Sequence, residues 1–343
     1  MYLDKKLINL KDISLARNFI YGISILWIVF YHCALNIPGG FFQTIKAYGD
    51  CAVEIFFLLS GCFLYFSYTK NHNVTCFYKK RLKRTLPYYL IFYGIVFVSF
   101  NLIINFNPLQ FFLNYTMLDF WINGLGNSPW FLAGIIIFYL SYPLIYKIFF
   151  EDCKHKKISI SLFLIILSVS GTLLSIYIPH LRIFIYRIPI FLIGCLIGKF
   201  IYEEKEMKFY HLLILIGFLL VGKILFSYFA NISIFRNIYY IPLSLIIVFL
   251  LSQLYKFNEK YIKIINTPFE YIGMFTLEIY LTHEKVQENL FRILEFFKIN
   301  VSFNNQIYQC ICISLAILIS IGLASLIKFV SELLQKKSSA ASV

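Results

Sequence analysis

Apolar residues run along this chain in ten blocks, each about as long as the 20 residues a helix needs to cross a bilayer. They lie at roughly 13–35, 51–69, 86–106, 129–149, 158–178, 184–201, 209–229, 237–255, 270–290 and 308–330. Helices are expected rather than strands, because a helix satisfies its own backbone polar groups within hydrocarbon. The polar residues between the blocks alternate in charge. With a cytoplasmic N-terminus, inner segments take the clusters at 79–84, 154–157, 199–208 and 256–263. Outer segments hold only Lys46, Arg182, Arg187, Arg236, Lys285, Arg292 and Lys298. Basic loops stay inside. The pattern therefore predicts an all-α polytopic membrane protein of about ten transmembrane helices, both termini cytoplasmic, forming one domain over residues 1–343.

Composition supports this picture. The chain is 60% hydrophobic and 14% charged, against about 45–50% and about 25% for soluble domains, which leaves no soluble domain of useful size. The net charge of +14 is mostly accounted for by the inner loops and calls for no nucleic-acid partner. The first block is too long for a signal-peptide core and has no small-residue cleavage site after it, so a retained span is expected. Eight cysteines (33, 51, 62, 76, 153, 195, 310, 312) form no CxxC pair. They read as small core residues, not as metal ligands or a disulfide framework. The segment 107–128, with PLQFFLNYTMLDFWI, is too apolar for a free loop and too short to span. It predicts an interfacial helix or a re-entrant lid.

Ionisable groups inside apolar blocks mark candidate chemistry, because hydrocarbon penalises them. Counted from Ile13, His32 lies about 28 Å along the first helix. It is either an interfacial histidine or a general base with a pKa near neutrality. Tyr21 lies within about 20° of it around the helix, and Arg17 within about 60°. Arg17 alone would read as an inner-surface residue. Glu54 and Asp50 share a face at the outer start of the second helix. Glu54 is the expected carboxylate partner that orients His32, while Asp50 can also cap the helix. His283 falls on the ninth block, at comparable depth, in a structural or a catalytic role. Arg187 in RIPIFLIG (187–194) can line a polar cavity, and NSPWFL (127–132) places Trp130 at an interface. Lys80, Arg81, Lys83 and Arg84 are topogenic or lipid-binding charge, or an anion site. Arg81 and Arg84, three apart on one helical face, fit a phosphate or pyrophosphate.

These pieces together resemble the acyltransferase-3 family of bacterial integral-membrane acyltransferases. The resemblance rests on YGISILWIVFYH (21–32), VEIFFLLSG (53–61), RLKR (81–84) before LPYY, PWFL (129–132), RIPIFLIG (187–194) and IGMFTLEIYLTH (272–283). It implies a ten-helix core that takes an acyl group, in the first instance acetyl, from cytoplasmic acyl-CoA. It implies delivery to a hydroxyl of an envelope or exported polysaccharide or glycolipid at the outer face of the bacterial inner membrane. No metal is implied. His32 matches the family's essential histidine, Arg81 and Arg84 its RxxR motif for the CoA nucleotide, and Glu54 its usual acidic position. The chain departs at Tyr21, where the family carries Arg or Lys; Arg17, one turn earlier, stands nearest. A fused extracytoplasmic hydrolase-like domain is not seen in this sequence. The rival readings are an exporter of a polysaccharide or lipid-linked intermediate, with His32 and His283 along its pathway, and a non-catalytic sensor.

Overall fold

Helices account for most of the described chain, as the apolar blocks require. The computed structural model describes residues 6–33, 40–101, 107–124, 129–151, 176–229 and 233–297, with scattered positions at 170–174 and 314–333. The described residues form two compact units. One comprises Met1–Ala16, Glu54–Arg81 and Asn107–Lys256; the other comprises Arg17–Val53, Leu82–Phe106 and Phe257–Val343. Five helical segments among the described residues are long and apolar enough to cross a bilayer: Asp50–Lys70, Trp130–Phe150, Pro179–Tyr202, Phe209–Phe229 and Ile234–Tyr261. The expected spans at 158–178 and 308–330 fall largely outside the described residues.

In the first unit, β1 (Lys6–Asn9) leads into α1 (Lys11–Leu15). β1 pairs antiparallel with β2 (Glu206–Lys208), matching Ile8 to Met207 and Asn9 to Glu206. This small sheet is an addition to the helical expectation. Asp12 is held by Lys256 at 3.1 Å. Beside β2, Lys205 bonds Glu203 at 2.8 Å and holds its carboxyl below the usual range. The transmembrane core packs α4 (Asp50–Lys70) against α10 (Ile188–Tyr202). A Cβ on Gly61 would overlap the Phe191 carbonyl, and one on Gly194 the Leu58 carbonyl, so small residues let the two backbones touch. Around this contact, α8 (Trp130–Phe150) and the short α9 (Arg182–Ile185) contribute aromatic rings. Phe138 stacks on Phe191 at 3.9 Å and meets Phe184 at 5.2 Å. By contrast α11 (Phe209–Phe229) is apolar but for His211, Lys223 and Ser227, yet buries only Gly222. A largely apolar helix exposed on nearly every side needs hydrocarbon around it.

The segment 107–128 folds partly as expected. α6 (Pro108–Tyr115) is capped by Asn107, whose side chain accepts from the amides of Leu109 and Gln110. α7 (Asp119–Asn123) follows. Buried Asp119 accepts from Gln110 and Asn123, while Leu109 and Phe112 face outward one turn apart. Residues 125–128 lie outside the described residues.

Three differences from the sequence reading bear on the site. α5 (Val74–Asn101) starts twelve residues before the expected 86, so the basic cluster is helical rather than a loop. The first block breaks at Ala16, and α2 (Arg17–His32) starts there. His32 is then about 22 Å from the helix start, not 28. The ninth block is two helices, α13 (Asn266–Met274) and α14 (Thr276–Phe296), interrupted at Phe275. His283 is thus about 10 Å into α14 rather than about 18 Å into one longer helix. Cys33, Cys51, Cys62 and Cys195 are buried as expected, but Cys76 is exposed; Cys153, Cys310 and Cys312 lie outside the described residues.

In the second unit α2 crosses α13 at a single glycine pair. A Cβ on Gly22 would overlap the Phe269 carbonyl, and a Cβ on Gly273 the Asn18 carbonyl. Phe19 packs edge-on against Phe269 beside it, with centroids 5.5 Å apart. After α2, the helix α3 (Phe41–Ala47) is tied back to it: Trp27 Nε1 donates to the Ile45 carbonyl at 2.7 Å. Because the overlap at the crossing is with backbone, Gly273→Ala should destabilise the protein by about 1–3 kcal/mol. Gly217→Ala on α11, where a Cβ meets nothing within 4 Å, should cost nothing. Thermal unfolding in detergent checks both.

Candidate functional site

Among the described residues, each unit holds one charged cluster built around residues expected at the site. Both depend on where helices begin and end.

The second unit gathers His32, His283 and Glu284. His32 is the last residue of α2, with 37% of its side chain exposed. Counted from the glycine crossing, His32 and His283 each lie ten residues on, about 15 Å of helix, and their rings are 5.3 Å apart. The equal offset means α2 and the α13–α14 pair run side by side in the same direction. His32 Nδ1 stands 3.1 Å from Glu284 Oε1. His283 is buried, and its Nδ1 lies 2.7 Å from the Tyr280 carbonyl and 3.1 Å from that of Ile279. A carbonyl only accepts, so Nδ1 carries the proton and Nε2 the lone pair. That Nε2 is buried without a hydrogen-bond partner and lies 4.0 Å from Glu284 Oε1.

The first unit holds Glu54. Its Oε1 receives Arg236 Nη1 at 2.6 Å and lies 3.5 Å from Arg187 Nε. All three side chains are at most 6% exposed. Arg236 comes from the first turn of α12 (Ser233–Tyr261), and Arg187 caps α10. Arg187 Nη1 also donates to the Ile183 carbonyl at 3.0 Å, and its guanidinium sits 5.4 Å from the Trp130 ring. Arg236 lies 4.3 Å from the Tyr240 ring. These rings accept cationic charge without water.

Glu54 and His32, paired in the sequence reading, fall in different units, and each has a partner within its own. The carboxylate at His32 is Glu284, and the Glu54 oxygen that bonds is taken up by two arginines. Sequence reading drew Glu54 to His32 because the two are close along the chain. It placed Arg187 correctly in a polar setting, but missed Arg236 and Glu284 as site residues. A signal for Glu284 existed: it adjoins His283 in the polar run THEK (282–285) at the end of an otherwise apolar segment.

The other expected residues are placed as follows. Arg17 opens α2 with its guanidinium 5.7 Å from the Tyr21 ring, one turn on. Asp50 lies in the first turn of α4, half-buried, where a negative charge favours the helix dipole. Lys80, Lys83 and Arg84 project exposed from α5. Arg81 on the same helix is half-buried, 5.6 Å from the Phe77 ring and 5.9 Å from the Tyr139 ring. One arginine is thus stacked in place, and the other is open to solvent.

The acyltransferase-3 model, described as an acyltransferase domain, matches residues 18–325. Neither a curated protein nor a solved structure matches the chain.

Glu54 supplies counter-charge to two buried guanidiniums, so its loss removes that compensation from both. Breaking such a pair costs about 3–5 kcal/mol. Glu54→Ala should sharply lower thermal stability and yield in detergent, whether or not the histidine cluster is intact.

Proposed function

The chain belongs to the acyltransferase-3 family, and on that premise we propose that it carries an acyl group, acetyl in the first instance, from cytoplasmic acyl-CoA to a hydroxyl of an envelope or exported polysaccharide or glycolipid at the outer face of the inner membrane. The observation that carries this reading is the His32–Glu284 contact at the end of α2.

In this reading Glu284 accepts the Nδ1 proton of His32 and fixes the tautomer, so Nε2 keeps its lone pair. That nitrogen takes the proton of the acceptor hydroxyl as the oxygen attacks the thioester carbonyl. The C–S bond then breaks, and the proton passes from His32 to the departing CoA sulfur. Such acid–base assistance contributes about 10²–10⁴ in rate. Glu284 stabilises the imidazolium formed on the way, while buried His283 lines the same spot. Transient acylation of His32 itself, followed by transfer to the acceptor, uses the same nitrogen.

Arg81 and Arg84 hold the phosphates of CoA at the inner surface, helped by Lys80 and Lys83. The aromatic bed under Arg81 limits its freedom, which favours a bound anion over a mobile counterion layer. Ten spans with both termini cytoplasmic put this helix end on the donor's side. A polysaccharide exporter has no need of such a grip.

Two variants separate the two halves of the reading. His32→Ala should abolish transfer of labelled acetyl to the host's surface glycan, with expression and acyl-CoA binding kept. Arg81→Ala with Arg84→Ala should weaken acyl-CoA binding by at least about tenfold, because charge-assisted contacts contribute about 1.5–3 kcal/mol each. Titration calorimetry with acetyl-CoA reads the second. Near-normal transfer by His32→Ala would rule out the base; unchanged affinity in the double variant would assign the cluster to lipid or topology.

A further inference from the structure

His283 is prepared in a way that proton transfer at His32 does not require. Its Nδ1 proton is engaged by the backbone carbonyls of Tyr280 and Ile279. Its Nε2 is buried, without a hydrogen-bond partner, and faces the carboxylate of Glu284. Histidines that ligate metals are commonly held so: one ring nitrogen anchored to a carbonyl, the other offering its lone pair.

The neighbours complete a donor set. One ligand atom from each of His32, His283 and Glu284 lies within 4.8 Å of the others. Zinc holds nitrogen and carboxylate oxygen at about 2.1 Å, so two donors of a tetrahedral site stand about 3.4 Å apart. The separations from Glu284 Oε1, 3.1 Å to His32 and 4.0 Å to His283, lie on either side of that value. The side chains with room to adjust are the exposed ones: Glu284 is 58% exposed and His32 37%, whereas His283 is fixed. Two histidines and one carboxylate suit zinc and its first-row neighbours better than magnesium or calcium, which prefer all-oxygen shells.

We propose that His32, His283 and Glu284 form a binding site for a zinc-class divalent ion, and that filling it silences acyl transfer. The second part rests on the reading of His32 as the base. An imidazole bound to metal through Nδ1 keeps its one proton on Nε2, so the lone pair that would accept the hydroxyl proton is gone. The same ion takes Glu284 away from its orienting contact. Metal capture and base catalysis therefore exclude each other at one ring.

The test uses the full chain in detergent, with Co²⁺ as the coloured probe for zinc. Wild type should develop the visible absorption of a low-symmetry Co²⁺ centre at one ion per chain, displaced by Zn²⁺. His283→Ala and, as a surface variant that spares the core, Glu284→Gln should each weaken binding by at least about tenfold. His211→Ala, in the first unit, should bind as wild type. Absence of the band in wild type, or a band undiminished in both site variants, overturns the site. In membranes, Zn²⁺ should lower acetyl transfer by wild type and a chelator should restore it. A chain that binds Co²⁺ at this site yet transfers unimpeded under saturating Zn²⁺ overturns the silencing. Failure of the acyltransfer reading would show separately, as undiminished transfer by His32→Ala.

Discussion

Everything at the histidine cluster depends on one backbone contact, the crossing of α2 and α13 at Gly22 and Gly273. Each glycine lies against a carbonyl of the other helix, Phe269 and Asn18 respectively. Without hydrophobic force between helices in lipid, such close packing is what holds a pair together. It also fixes register. From the crossing, each chain climbs ten residues to its histidine, and the rings arrive 5.3 Å apart. The interruption at Phe275 lies between Gly273 and His283. It sets the direction of α14, and so whether Glu284 reaches the end of α2.

The Glu54 cluster answers a different demand. Two arginines and one carboxylate, nearly sealed from solvent, are expensive to bury and are tolerated only with partners. Arg187 comes from the start of α10, Arg236 from that of α12 and Glu54 from the first part of α4, so the pairs tie three helix ends at one point. Trp130 and Tyr240 spread the remaining positive charge over ring faces. The cluster ties together the first unit, as the histidine cluster joins α2 to α14 in the second.

Helices bounded by strong apolar contrast were readable from sequence. The blocks at 51–69, 129–149 and 209–229 match Asp50–Lys70, Trp130–Phe150 and Phe209–Phe229 within one residue. Where polarity and helix did not change together, the reading failed. Lysine and arginine are good helix formers, so α5 runs through the basic cluster that hydropathy assigns to a loop. The breaks at Ala16 and Phe275 leave no trace in an apolar pattern. At the site, His32 and His283 stood out because hydrocarbon makes histidine conspicuous. Glu284 did not, since a carboxylate after a polar pair looks like the end of a span. Glu54 was visible, but its partners Arg187 and Arg236 are far away in sequence, and no local pattern links them.

The central claim is that Glu284, and not Glu54, positions the base. The decisive measurement is the acetyl-transfer rate per folded molecule for Glu284→Gln beside Glu54→Gln. An amide cannot hold the Nδ1 proton as a carboxylate does, so Glu284→Gln should transfer about 10²–10⁴-fold more slowly while unfolding at the wild-type temperature. Those Glu54→Gln molecules that fold should transfer at close to the wild-type rate. Full activity in Glu284→Gln, with folded Glu54→Gln inactive, would contradict the account and return the orienting role to Glu54.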